Sequence, residues 1–148
     1  MIPTPSDYSD TALCLWKEAR GEGAAGMTAV ACVIRNRTVK HDTTFSHEVY
    51  RAWQFTSMSV PSDPEYHLQP SPTDPSFALA QTIARQVIDG ETVDVTEGAT
   101  LYWNPAGIVS NATFTLMTGQ VVKFPETWNP AVVHETVQIG HHIFLMEL

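Results

Sequence analysis

Hydrophobic residues in the first forty positions recur at helical spacing in two consecutive stripes. Gly21 and Gly23 lie between the stripes, so we expect one helix to end there and a second to begin at once. Glu18 then lies at the end of the first helix, beside a sharp junction. The stripe residues are Ala12, Leu15, Trp16 and Ala19 in the first helix, and Met27, Val30, Ala31 and Ile34 in the second.

A short third helix is predicted from Phe45 to Trp53, with Thr44 or Ser46 as its N-cap. Three of its residues are expected to face inward because they recur at helical spacing. These residues are Val49, Tyr50 and Trp53.

Five of the ten prolines lie between residues 61 and 75, so we expect a long loop there. This loop either forms one wall of a cleft or is a surface excursion that contacts nothing. A helix follows, with Asp74 as N-cap, Pro75 at the first helical position and Gly90 ending it. Its expected core residues are Phe77, Ala80, Ile83 or Ala84, and Val87.

The last third of the chain is predicted to be β-rich. Residues 113–124 and 132–139 contain β-favouring residues in short alternations, and Asn129-Pro130 marks a turn between them. The predicted fold class is therefore α+β, mainly helical with a small β-rich C-terminal flap. A length of 148 residues suits a single domain over residues 1–148.

Composition narrows the possible partners. The net charge is −8, and no basic patch or run is present, which argues against nucleic-acid binding. No apolar run approaches the length of a transmembrane helix, so membrane insertion is not expected. The first seven residues lack the basic and apolar regions of a signal peptide, and we expect synthesis in the cytoplasm.

Glu18 is the first candidate for catalytic chemistry. A carboxyl group flanked by apolar side chains can act as a general acid near neutral pH. The alternative is a solvated turn that caps two ordinary helices, and spacing alone favours this second interpretation.

The run Glu18-Ala19-Arg20-Gly21-Glu22, with Gly26-Met27 and residues 29–37, resembles the signature of the spore-cortex-lytic (SleB-type) cell wall hydrolases. The resemblance extends over nearly the whole chain. It implies a fold similar to goose-type lysozymes and lytic transglycosylases, with Glu18 as the catalytic residue. Three later segments match in order: Gln54-Phe55-Thr56, Leu-Tyr-Trp-Asn-Pro at 101–105, and Ile-Gly-His-His-Ile-Phe at 139–144.

The same resemblance implies a substrate-binding set, since comparable Gln and Tyr-Asn segments flank the catalytic glutamate in the goose-type relatives. Aromatic rings beside amide and hydroxyl groups suit the flat faces and hydroxyls of sugars. The alternative is that Phe55 and Trp103 are core residues. We expect Phe55 to be in the core. Tyr102, in contrast, is expected to lie in the cleft. The implied substrate-binding residues are Gln54, Thr56, Tyr102 and Asn104.

Glu22 and His142 complete the candidate substrate site. Glu22 is expected to bind backbone amides at the start of the next helix, or to pair with Arg20 or Arg35. His142 lies in the last matching segment and is expected to pack or hydrogen-bond near the site.

No metal or other cofactor is expected. His134-Glu135 begins like a zinc-protease helix, but Gln138 stands where that motif needs a second histidine. His141 and His142 would point to opposite faces of a strand and could not chelate one ion. Both cysteines are expected as buried free thiols, although a disulfide between packed helices stays open. They are Cys14 and Cys32.

The expected substrate is the glycan strand of peptidoglycan, cut between N-acetylmuramic acid and N-acetylglucosamine. A lytic transglycosylase needs one carboxyl group, which Glu18 supplies, whereas hydrolysis by a muramidase generally needs two. A third possibility is an inactive, virion-associated structural module. Because no signal peptide is visible, we expect either a phage or prophage origin or an excised domain. A phage protein would reach the cell wall by a holin or within a virion, where virion or tail proteins would be partners.

Overall fold

The computed structural model describes residues 2–148, and the chain divides into two compact units, at residues 1–95 and 96–148. We call the first the helical unit and the second the β unit. Of the helices in the described part of the chain, none has the length and apolar character needed to cross a bilayer. The α-helices within residues 2–95 are α1 (Pro5–Ala19), α2 (Gly23–His41), α3 (Phe45–Tyr50), α4 (Thr56–Ser59) and α5 (Pro75–Ile88).

The two N-terminal apolar stripes form the core of the helical unit, as predicted. All eight stripe residues are buried. A short 3-10 turn, Arg20–Glu22, separates α1 from α2. Gly23 follows this turn with a φ of +70°, a backbone conformation that glycine adopts without steric cost. The predicted break between the helices is therefore confirmed.

The predicted third helix is shorter than expected. α3 begins after its N-cap Thr44, as predicted, but it ends at Tyr50. Val49 is buried, whereas Tyr50 is 48% exposed and Trp53 is 77% exposed. The inward orientation predicted for these two aromatic residues was wrong. Trp53 lies beyond the end of the helix, and Tyr50, its last residue, places its hydroxyl at the surface beside Asp10.

The proline-rich stretch and the helix after it match the prediction. Residues 60–74 contain neither helix nor strand. The Asp74 carboxylate then accepts the Ser76 N–H as the N-cap of α5, with Pro75 at the first position. Gly90 has a φ of +77° just beyond the helix end. The buried core residues of α5 are Ala80, Ile83, Ala84 and Val87, whereas Phe77 is half-buried.

The β unit consists of a three-stranded antiparallel sheet, in the order β1-β5-β4, and a separate hairpin, β2-β3. The predicted β-rich regions are thus confirmed as this hairpin and β4. Asn129 caps a 3-10 turn, Pro130–Val132, at the predicted turn. The strands are β1 (Leu101–Trp103), β2 (Thr113–Thr115), β3 (Val121–Lys123), β4 (Val133–Ile139) and β5 (His142–Glu147).

Trp103 occupies the core of the β unit, which confirms the core alternative for this residue. Its indole N–H donates to the Lys123 carbonyl at 2.8 Å, and its ring meets Phe124 edge-on at 5.3 Å. The other buried members of this cluster are Leu116, Ile143 and Leu145.

The two adjacent histidines do not share a strand. Gly140, with a φ of +58°, makes the turn between β4 and β5, and His141 lies in that turn. His142 is the first residue of β5. The prediction that alternation in one strand separates the two rings was therefore wrong, because only His142 is in the strand.

Candidate active site

Glu18 lies in the last turn of α1, where its side chain is half-buried. The Ser57 hydroxyl of α4 donates to its Oε2 atom at 2.7 Å. Ser57 itself is only 1% exposed. The carboxyl group is thus held by a buried neutral donor on one side and is partly open to solvent.

Cys14 lies one helical turn before Glu18 and is fully buried. Its thiol pKa is raised well above its usual range, first by burial and then by the negative charge of Glu18. Cys14 therefore stays an uncharged thiol on the inner side of α1, one helical turn from the carboxyl group of Glu18. Cys14 and Cys32 are both buried free thiols, as predicted.

Lys17, next to Glu18 in sequence, connects the proline-rich loop to α1 by hydrogen bonds. Its ammonium group donates to the carbonyl of Ser57 at 3.2 Å and to the carbonyl of Tyr66 at 2.7 Å. Lys17 is buried, and this burial lowers its pKa. One lysine thus joins α4, the loop and the helix that carries Glu18.

A second connection lies at the end of the same helix. Arg20 forms an ion pair with Glu65 at 2.6 Å, and its guanidinium group lies 4.3 Å from the Trp16 ring centroid. The Trp16 indole in turn donates to the Asp74 carboxylate at 3.0 Å. The loop over residues 60–74 is therefore bound to α1, and the alternative that it contacts nothing was wrong.

Glu22 ends the 3-10 turn and occupies the N-cap position of α2. Among the described residues, its side chain does not cap α2, and the predicted alternative, a pairing with Arg20 or Arg35, stays a prediction. A Cβ atom at Gly26 would overlap the Cβ of Glu22, so only glycine fits there without movement. The Gly26-Met27 pair of the motif thus sets how closely Glu22 packs on α2.

Gln54 and Thr56 lie at the surface just before Ser57. The Thr56 hydroxyl donates to the Asp63 carboxylate at 2.5 Å, and the other Asp63 oxygen accepts the Glu65 N–H at 2.8 Å. Phe55, between the two predicted substrate residues, is buried as expected. Exposed polar side chains therefore alternate with buried ones along this segment. Substrate binding by Gln54 and Thr56 stays a prediction.

The remaining predicted residues belong to the β unit. The half-buried Tyr102 ring meets His142 edge-on at 5.0 Å and stacks on Phe144 at 5.6 Å. The Asn104 side-chain oxygen accepts the Ala106 N–H at 3.0 Å and caps the turn that follows β1. The structure thus brings Tyr102 and His142 together, and substrate binding by these residues also stays a prediction.

Sequence reasoning did not single out two residues near Glu18: Ser57, which donates to it, and Lys17, which binds the Ser57 carbonyl. Ser57 directly follows the Gln54-Phe55-Thr56 segment, and Lys17 directly precedes Glu18. This proximity to the matched segments was the only indication in the sequence that the two residues lie near Glu18. A serine or a lysine does not by itself suggest such a position.

Comparison with known proteins gave two matches. A family profile described as cell wall hydrolase matches residues 21–145, beginning three positions after Glu18. The catalytic domain of the germination-specific lytic transglycosylase SleB from Bacillus anthracis has a similar structure, with a TM-score of 0.66. It is 26% identical, and the match covers 97% of this chain and 98% of that chain. A search of curated proteins gave no match.

Proposed function

Since the chain belongs to the cell wall hydrolase family, we propose that it cuts the glycan strands of peptidoglycan with Glu18 as its acid and base. The family match confirms the SleB-type membership predicted from the motifs, and the α+β, lysozyme-like fold agrees with the structural match. The protein is thus an enzyme that acts on peptidoglycan. What we propose is which glycosidic bond is cut, by which mechanism, and that Glu18 is the catalytic residue.

The contact between Ser57 and Glu18 carries this assignment. A general acid must give up its proton in the transition state and then exist as a carboxylate. The Ser57 hydroxyl, 2.7 Å from Oε2, can donate to that carboxylate without itself being charged. The carboxyl group of Glu18 is half-buried, so its open side can admit a substrate.

The proposed reaction has two steps. Glu18 first protonates the glycosidic oxygen between N-acetylmuramic acid and N-acetylglucosamine, and the N-acetylglucosamine end leaves. The resulting carboxylate then takes the proton from the muramyl 6-hydroxyl, whose oxygen attacks the anomeric carbon and closes a 1,6-anhydro ring. Glu18 ends the cycle protonated, as it began.

The neighbouring carboxylates support a mechanism with one catalytic carboxyl group. Asp63 accepts hydrogen bonds from Thr56 and from the Glu65 backbone, and Glu65 pairs with Arg20. These bonds fix the loop over residues 60–74. Hydrolysis would generally need a second carboxylate to act as base or nucleophile, whereas both of these already serve structural bonds.

Mass spectrometry of the released muropeptides tests the reaction, because anhydro ends and reducing ends differ by one water. Anhydro products support the proposal, and reducing ends would instead identify a muramidase. No released products from the wild-type protein would favour the inactive structural module.

The Glu18→Gln variant tests the catalytic residue. We expect it to fold normally and to lose at least about a hundredfold in activity, the scale typical of a general acid. Glu91→Gln is a matched control, since Glu91 is exposed and pairs with Arg85 beyond the end of α5. Near-full lysis by a folded Glu18→Gln protein would overturn the assignment.

A further inference from the structure

Trp53 has an unusual backbone for a large side chain. It is the third residue of a four-residue turn that closes with a hydrogen bond from the Gln54 N–H to the Arg51 carbonyl at 3.2 Å. Its φ is +65°, a value that turns usually assign to glycine or asparagine at this position. Its side chain is 77% exposed. Burial therefore does not explain why tryptophan occupies this strained position.

The turn is fixed from inside the helical unit. Glu48, 0% exposed, accepts two hydrogen bonds from the Arg51 side chain at 2.9 and 3.0 Å and contacts His41 at 2.5 Å. On the other side of the turn, Phe55 is buried beneath the guanidinium group of Arg37. Both ends are anchored, so the Trp53 ring is held outward rather than left free to fold back.

A pocket of about 480 Å³ lies at this ring. Among the described residues, those that line the pocket are uncharged, and two of them are aromatic. The Tyr50 hydroxyl is fixed at the rim by a 3.3 Å hydrogen bond to Asp10. The lining residues are Tyr50, Ala52, Trp53, Ser59, Val60 and Pro61.

This pocket and the proposed catalytic site both include a residue of the short helix α4. Ser59 lines it, and Ser57, two residues earlier in the same helix α4, contacts Glu18. Ser57 is four positions after Trp53, so their Cα atoms lie within about 14 Å of each other. A short run of sugar units covers such a distance.

We propose that Trp53 and Tyr50 form a subsite for an N-acetylglucosamine unit of the glycan strand, away from the bond that is cut. The Trp53 ring stacks on the flat CH face of the sugar, and the apolar lining accepts its acetyl methyl group. A neutral sugar suits the uncharged lining, whereas a stem peptide carries carboxylate and amine groups that find no ion-pair partner there. The subsite rests on the proposed function, since it would bind the same glycan strand that Glu18 cuts.

Steady-state kinetics on peptide-free glycan strands test this proposal with Trp53→Gly. We expect KM to rise about tenfold, whereas kcat should stay close to its wild-type value. The effect should shrink as the strands are shortened. Because glycine relieves the positive φ, we expect Tm to stay unchanged or to rise. Trp53→Tyr should restore part of the affinity, because it keeps a ring.

Val109→Gly is the control, because it removes a fully exposed apolar side chain from the β unit. Equal KM values for wild type and Trp53→Gly would overturn the subsite while leaving the role of Glu18 intact. A loss seen only on strands that carry stem peptides would assign the pocket to peptide instead. A large fall in Tm for both Trp53 variants would show a packing role and also overturn the proposal. If wild type released no muropeptides, the proposed function would fail before the subsite was tested.

Discussion

Replacing Ser57 with alanine removes one hydroxyl group from the surroundings of Glu18. A hydrogen bond to a charged partner contributes about 1.5–3 kcal/mol. Glu18 is half-buried, so water reaches part of its carboxyl group, and we take the low end of this range. About 1.5 kcal/mol corresponds to roughly a tenfold loss in rate. The site of Ser57 is too buried for water to replace the hydroxyl freely.

The pH dependence gives this prediction a second readout. A donor to a carboxylate favours its charged form, so the Ser57 hydroxyl makes proton loss from Glu18 easier. Activity needs the protonated acid and falls as pH rises through its titration. Without the hydroxyl, this alkaline limb moves to higher pH. We thus expect a slower enzyme with a broader alkaline range.

The assay measures kcat/KM on soluble glycan strands between about pH 5 and 9, the range around a typical catalytic titration. Ser9→Ala is the matched control, because Ser9 lies on α1, the helix of Glu18, and its exposed hydroxyl donates to the Ser6 carbonyl. Only Ser57→Ala should change both rate and pH profile. Unchanged kinetics in Ser57→Ala, or the same loss in both variants, would refute the reasoning.

Three further predictions follow from neighbouring features. Glu22→Gln should lower Tm more than it lowers activity, and a stable but inactive variant would instead favour a hydrolase with two carboxylates. Gly26→Ala should cost about 1–3 kcal/mol of unfolding free energy in denaturant titrations, because the added methyl overlaps Glu22; no loss would contradict this packing. EDTA should leave cleavage of soluble glycan fragments intact, and loss that zinc restores would mean that His134, Glu135 and His142 need testing as ligands.

A last prediction concerns acid stability. Burial alone raises the pKa of Glu48, but hydrogen bonds from Arg51 and His41 bring it below its usual range. Such a group stabilises the fold above its unfolded pKa, and the stabilisation is lost as pH falls through the folded pKa. The difference in Tm between wild type and Glu48→Gln should therefore be largest near neutral pH and shrink in acid. A difference that is independent of pH would contradict this.

The helices with clear periodicity were predictable because burial alone decides their faces. Ala12, Leu15, Trp16 and Ala19 lie on one face at a period of 3.6 residues, and the glycines beyond them allow the break. Asp74 and Gly90 mark the ends of α5 through hydrogen-bonding chemistry that is local in sequence. Short-range rules were sufficient for these elements.

Residues whose conformation depends on distant contacts were not predictable in this way. Hydropathy places Lys17 at the surface, yet two carbonyl groups, 40 and 49 residues away, hold it in the interior. Local preference places glycine at a positive φ, so nothing in the pattern indicated that Trp53 would take that position and face outward. Glu18 was found through its motif, whereas its partner Ser57 required the fold.

The bonds of Lys17 also bear on how the enzyme responds to heat. One ammonium group holds the Ser57 backbone and the Tyr66 backbone, so both parts of this region open together when that group is released. Segments of this kind melt locally before the packed helices around them. We therefore expect activity to be lost on heating when residues 57–66 open, at a temperature below that of global unfolding.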